Sequence, residues 1–391
     1  MAENPRARIA ALVTCATFVD IVAYSIAVPV LPDLSRRFGA SPTVVGLLFA
    51  SFGATLLSVS VPMGAVSDRL GRKRPLAAGV GTLAAATLLF AFATSLPWLF
   101  AARLVQGAAD AVTWVVGFAL IADLYDVNER GRVTGLVMMG TSFAVMIGPT
   151  LGGWLYDLGG IRLPFIAVAA LAVVVFVLLV ATPVPEQHAA GEIVPIRMVV
   201  SVPAIAACAA AVVAIAGTIT MLEPVLSLHL GELNLTPGRI GTVYGLAAVV
   251  TTLLHPVCGR LSDRFGARRV TVAGLLLTAL ALPALTQAWS YRSAVFLYML
   301  AASAGAFVIT PSLAYMGEAA SAAGVRSFGV SYGLYNLAWG IGLLGGPAIG
   351  GFLFERLGFS LAVVAWTPAL AVAAVLVARV DSSAAALKEP L

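Results

Sequence analysis

Apolar runs averaging about twenty residues follow one another along this chain, each closed by Arg, Lys, Pro, Gly or an acidic residue. A run of that length, coiled at about 1.5 Å per residue, matches the roughly 30 Å of hydrocarbon in a bilayer. Lipid offers the backbone no hydrogen-bond partner, so each run is read as a transmembrane α-helix. The spacing predicts twelve spans, at roughly 9–31, 42–64, 76–95, 97–124, 134–155 and 164–182, then roughly 198–229, 239–258, 271–288, 293–316, 329–353 and 358–379. Between the two sets, residues 183–197 carry Glu186, Gln187, His188 and Glu192 and read as a surface linker. The expected domains are thus an N-terminal six-helix half (1–182), a linker (183–197) and a C-terminal six-helix half (198–391), with no room for a soluble domain.

The polar punctuation repeats. Gly64-Ala-Val-Ser-Asp68-Arg69-Leu-Gly71-Arg72-Lys73-Arg74 returns 195 residues later as Gly259-Arg-Leu-Ser-Asp263-Arg264-Phe-Gly266-Ala-Arg268-Arg269. Gly148-Pro149-Thr-Leu-Gly152-Gly153 returns 198 residues later as Gly346-Pro347-Ala-Ile-Gly350-Gly351. A repeat of half the chain predicts an all-α membrane protein of two pseudo-symmetric halves, the build of many secondary transporters. Small residues let helices approach closely and proline bends them, so Gly148, Pro149, Gly346 and Pro347 are candidate pivots. In the basic loops, an acid can sit at the positive N-terminal end of a neighbouring helix and a base at a negative C-terminal end. Asp68, Arg69, Arg72, Asp263 and Arg264, with Asp123 at the end of the fourth span, are the candidate gate.

Composition sharpens this picture. Hydrophobic residues make up 60% and charged residues only 10%, against about 25% charged in soluble domains. With both termini placed in the cytoplasm, cytoplasmic segments hold sixteen Lys and Arg, the opposite loops hold six, and Arg103 stays inside a span. That asymmetry fits the positive-inside rule and accounts for the net charge of +5 without nucleic acid. Cys15, Cys208 and Cys258 lie in apolar runs without metal-ligand spacing and read as packing residues. His188, His229 and His255 are scattered. No nucleophile and base set, metal cluster or phosphate loop is visible, so no enzyme activity and no cofactor are expected. Arg6 and Arg8 precede a first span that lacks a small-residue cleavage site and reads as retained. A monomer in a bacterial inner membrane, partnered by lipid, protons and a small solute, is the expected setting.

Ionisable side chains inside a span cost a few kcal/mol on insertion scales and mark function unless they sit near a helix end. Asp20 falls near the middle of the first span. Glu223, just before Pro224-Val-Leu, stands further outward in the seventh; Pro29-Val-Leu is its echo in the first. Arg103, Gln106 and Asp110 are spaced to share one face of the fourth span. There, a structural ion pair of Arg103 and Asp110 through a shared partner and a role in transport are both open readings. Trp114 one turn beyond Asp110, and Tyr335, Asn336 and Trp339 in the eleventh span, supply rings and an amide that suit an organic cation.

These motifs together resemble the major facilitator superfamily, and among its members the drug/proton antiporters. The resemblance is carried by the Gly-x-x-x-Asp-Arg-x-Gly-Arg loop, Arg103-x-x-Gln106-Gly107 and the Gly-Pro-x-x-Gly-Gly element. Val45-Gly-Leu-Leu-Phe-Ala-Ser51, Glu129-Arg-Gly131, Met221-Leu-Glu-Pro224 and Leu334-Tyr-Asn-Leu-Ala338 are similar to the vesicular monoamine transporter branch. That resemblance implies Asp20 as the amine-binding acid, Glu223 as the acid of the seventh span and Arg103 as the cation of the fourth. Phe52 and Asn336 stand where the branch pairs a lysine with an aspartate, and Thr310, Pro311 and Ser312 where its tenth span carries an aspartate. The expected function is proton-coupled antiport exporting small cationic or aromatic amines or drugs. A facilitator or symporter of a neutral solute such as a sugar is the alternative on the same fold.

Overall fold

The computed structural model describes residues 5–184, 202–322 and 328–380, and among these there are helices and no strands. Most of the expected linker therefore lies outside the described residues. The helices are α1 (Pro5–Ser25), α2 (Leu31–Phe38), α3 (Pro42–Leu70), α4 (Lys73–Ala91), α5 (Leu96–Leu124), α6 (Val127–Gly159), α7 (Arg162–Ala181), α8 (Pro203–Glu232), α9 (Pro237–Phe265), α10 (Ala267–Ala281), α11 (Tyr291–Ala322) and α12 (Phe328–Arg379). Among the described residues, eleven segments are long and apolar enough to cross a membrane. The last of them contains a break at Gly358, with φ 75° and ψ 173°, which divides α12 into two helices and restores the expected twelve spans.

The first span differs from the sequence reading and does not run unbroken to residue 31. It stops at Ser25, passes through a 3-10 turn at Val28–Val30 and resumes as α2. Pro29 and Pro32 have no N–H to donate to a helical ladder, which is why the run breaks there. The structure also shows why the eighth position of the basic signature is glycine. Gly71 and Gly266 take φ of 77° and 88° and end α3 and α9, a left-handed step that a side chain resists.

The chain forms two compact units that do not follow the sequence halves strictly. One contains Met1–Ala40, Ser51–Gly191 and Leu230–Gly245; the other contains Ser41–Ala50, Glu192–His229 and Leu246–Leu391. The opening turns of α3 thus belong with the second unit, and those of α9 with the first.

The Gly-Pro-x-x-Gly-Gly repeats explain this exchange. In the first unit, a Cβ at Gly148 or Gly152 would overlap Ser25 or Ile26, and one at Gly153 would overlap the Pro237 backbone. In the second, a Cβ at Gly346 or Gly350 would overlap Gly217 or Met221, and one at Gly351 would overlap the Pro42 carbonyl. Each element therefore holds two helices at backbone distance, which is how membrane helices associate where burial of apolar surface offers no gain over lipid.

A carboxylate completes each seat. Asp157 Oδ2 accepts from the Thr236 hydroxyl at 3.1 Å and the Gly238 N–H at 3.2 Å, at the start of α9. Glu355 Oε2 accepts from the Ser41 hydroxyl at 2.6 Å and the Thr43 N–H at 2.9 Å, at the start of α3. Asp157 and Glu355 are separated by the same 198 residues as the glycine motifs, and each acid meets the positive end of a helix dipole.

Candidate functional site

In the first unit, the shared face of α5 is buried: Arg103 is 0% exposed, Gln106 1% and Asp110 5%. Arg103 sends both terminal nitrogens to the Tyr24 carbonyl, at 3.4 and 3.3 Å, and one of them to Gln106 Oε1 at 3.2 Å. Gln106 in turn donates to Thr87 of α4 at 3.3 Å. The guanidinium lies 5.3 Å from the ring centres of both Tyr24 and Phe90. Tyr24 sits in the last turn of α1, where carbonyls lose their helical partners. Arg103 is the cap of that helix end, supplied from α5. The guanidinium bonds a carbonyl and an amide and lies against two rings, and it makes no direct ion pair with Asp110 on the same helix.

Asp110 faces a different group. α1 and α5 run antiparallel, with Tyr24 against Arg103 and Val13 against Gly117. That register brings Asp20 to within a turn of Asp110, and the two carboxyls and the Trp114 indole are mutual polar neighbours. Asp20 is 1% exposed, and neither of its oxygens makes a well-formed hydrogen bond. The Trp114 ring packs at a tilt on Phe118, centre to centre 5.4 Å. Phe52, in the place of the branch's lysine, packs on the Tyr24 ring at 4.8 Å, so no cation from α3 enters this cluster at that position.

In the second unit, Glu223 of α8 is partly buried, with Tyr298 of α11 in its electrostatic surroundings. Tyr335 is buried and donates to the Ile309 carbonyl at 3.1 Å, and its ring stacks on Trp339 at 6.3 Å. Asn336 is exposed. His188 lies outside the described residues; His229 bonds the Ala288 carbonyl at 3.1 Å and stacks on Phe359, and His255 bonds Thr310 at 2.7 Å. Cys15, Cys208 and Cys258 form no disulfide.

The two signature loops are built alike in one respect and differ in another. Lys73 donates to the Val180 carbonyl at the end of α7, at 2.9 Å, and Arg268 donates to the Val377 and Ala378 carbonyls at the end of α12, at 3.0 and 2.6 Å. Both bases cap a C-terminal helix end. In the first loop, Arg72 also bonds Asp123 at 2.8 Å, Asp68 at 2.6 Å and Ser67 at 2.6 Å. Burial disfavours the charged guanidinium there, but the two carboxylates more than offset it and raise its pKa. In the second loop, Ala267 occupies the arginine's place in the repeat. There the Ser262 hydroxyl is buried without a partner, and a cavity of about 360 Å³ borders Ala267, Tyr315 and Glu318. Arg69, Asp263 and Arg264 are exposed. Replacing Arg72 by Ala strands Asp123, whose side chain is 7% exposed, at a cost of roughly 3 kcal/mol. Thermal unfolding in detergent should register it as a loss of about 5–10 °C, while Ala267→Arg should raise the midpoint by placing a guanidinium beside Glu318 and the unpaired Ser262 hydroxyl.

The family model described as Major Facilitator Superfamily matches residues 13–231 and again 206–390, essentially the whole chain. The chain belongs to the Major Facilitator Superfamily. The vesicular acetylcholine transporter of Drosophila melanogaster is 27% identical over 91% of this chain and 68% of its own length. The synaptic vesicular amine transporter of Homo sapiens is 27% identical over 81% of this chain, which spans 62% of that protein. A bacterial homologue of the human lysosomal transporter Spinster, solved in an inward-facing and occupied conformation, superposes with a TM-score of 0.82 at 18% identity, covering 96% of this chain and 97% of that one. The superfamily member described here is therefore an integral, multi-pass membrane protein near the vesicular amine transporter branch, and a transporter rather than an enzyme.

Sequence reading missed several of the residues that shape these sites. Tyr24 contributes through a carbonyl, which leaves no trace in residue type. Thr87 looks like any span threonine. Asp157 and Glu355 did leave a signal, since they follow the glycine motifs at the same offset in both halves.

Proposed function

We propose that this protein is a proton-driven antiporter that exports small cationic amines, with Asp20 as the group that a proton and the amine occupy in turn. The observation that carries the reading is a carboxyl with two unsatisfied acceptor oxygens, sealed from bulk solvent beside a second carboxyl and an indole. A buried carboxylate without donors is costly, and a proton or a bound ammonium relieves that cost in different ways. The names of the relatives, amine and acetylcholine transporters, favour an organic cation. Because one site cannot hold both occupants, a proton entering from outside displaces amine outward, and the unloaded protein returns the proton to the cytoplasm. Glu223, Tyr335, Asn336 and Trp339 are the candidate substrate-recognition residues of the second unit. Asp68, Arg72 and Asp123 close the cytoplasmic face, and Gly148, Pro149, Gly346 and Pro347 are the pivots. Both termini are cytoplasmic, the membrane is a bacterial inner membrane, and the working unit is a monomer.

The test is uptake of a radiolabelled monoamine by proteoliposomes holding the purified protein. With an acidic lumen, amine should accumulate against its gradient and collapse on addition of a protonophore. Uptake indifferent to the pH gradient would reject antiport.

A further inference from the structure

Within that reading, we infer that the Asp20–Asp110 site selects ammonium ions that carry N–H bonds and discriminates against quaternary ammonium ions of the same charge. The pocket holds more acceptors than donors. Both Asp20 oxygens lack a well-formed hydrogen bond, in a residue 1% exposed. The nearby serine and threonine hydroxyls are already spent: Thr17 donates to the Val13 carbonyl at 3.1 Å, Ser25 to Ile21 at 2.7 Å, and Thr113 to Ala109 at 3.0 Å. Arg103 directs its terminal nitrogens to Tyr24 and Gln106. Asp110 adds two more acceptor oxygens, and the single Trp114 N–H is shared between the two carboxyls, so four oxygens face one indole donor and whatever proton the pair holds.

A primary or secondary ammonium meets this surplus directly, since one nitrogen can donate to both carboxyls at once, and charge-assisted bonds of this kind are the strong ones. A trimethylammonium group brings the same charge and no donor. Its methyl groups hold the nitrogen away from the oxygens and leave the acceptors unpaired, and sites built for hydrogen bonding reject analogues that lack the matching group. The Trp114 ring works in the opposite direction, because a cation–π contact accepts a quaternary centre readily. The two unsatisfied oxygens of Asp20, with the Asp110 carboxyl beside them, outweigh one ring that is already packed against Phe118. Asp110 is then a specificity-determining residue, because it supplies the second acceptor that only a multiply donating nitrogen can use.

The experiment compares 2-phenylethylammonium with its N,N,N-trimethyl analogue, by direct binding to the purified full-length protein and by competition against labelled amine uptake. The primary ion should bind at least about tenfold more tightly. In Asp110→Asn the advantage should shrink to about threefold or less, while binding of both ions still depends on Asp20. Equal or tighter binding of the trimethyl ion to the unmodified protein overturns the inference, and that comparison needs no variant. An advantage unchanged in Asp110→Asn overturns the role given to Asp110. If both ions bind and neither responds to Asp20→Asn, the placement of the amine site itself fails, an outcome separate from the other two.

Discussion

Asp20→Asn should reduce pH-driven amine transport to the level of empty liposomes, a loss of at least about a hundredfold. The amide keeps the volume of the acid, so packing on α1 survives, but it can neither take up a proton nor carry the charge that holds an ammonium. Both halves of the proposed competition disappear together. Asp20→Glu keeps the chemistry and displaces the carboxyl by one methylene in a close-packed site, so partial transport with weakened apparent affinity is expected. The paired measurement is initial uptake rate at a fixed pH gradient together with folded yield by size-exclusion chromatography. Full activity in Asp20→Asn would sink the mechanism, because among the described residues no other group in the first unit offers two unsatisfied buried acceptors: Arg103 is a cap, and Gln106 is engaged by Arg103 and Thr87.

Arg103→Leu should be the most destabilising single change in the first unit, by about 3–5 kcal/mol. It removes charge-assisted bonds worth roughly 1.5–3 kcal/mol and strands the Tyr24 carbonyl in a setting where water cannot replace them. It also ends contact with two aromatic rings. Asp20 lies one turn before Tyr24, so a frayed α1 end displaces the carboxyl that transport needs. Arg103→Lys should recover part of the stability and less of the activity, since one ammonium cannot reproduce the fork of two nitrogens on a single carbonyl. Melting temperature in detergent, measured beside transport, separates the cap from the charge. A Leu variant as stable as the unmodified protein would show that the Tyr24 contact contributes nothing.

Much of the fold was legible because lipid makes the sequence signal strong: each span must be apolar for its whole length, and each interruption stands out. Asp20, Arg103 and Asp110 were found the same way, as charges in expensive places. Their pairing was not legible. Helical spacing put Arg103 and Asp110 on one face, which suggested that they balance each other, but a face says nothing about what stands opposite. The decisive partner was the end of α1, broken by Pro29, whose exposed carbonyl drew Arg103 away and left the two acids facing one another. The exchange of the opening turns of α3 and α9 between units was equally hidden. It depends on how close glycine lets two backbones come, and on Asp157 and Glu355, acids in the last turns of their helices whose repeat offset marks them but not what they bind. The repeat also disclosed its own exception, Ala267, whose consequence appeared only once the three bonds of Arg72 were seen.

The account rests on a proton and an amine being alternative occupants of one buried carboxyl, and proton release on binding tests that most directly. Purified protein in weakly buffered detergent solution, containing a pH-indicating dye, is mixed with a saturating monoamine. The unmodified protein should release protons into solution as amine binds, and Asp20→Asn should release none. Amine binding with no proton released, or equal release from Asp20→Asn, would contradict the account.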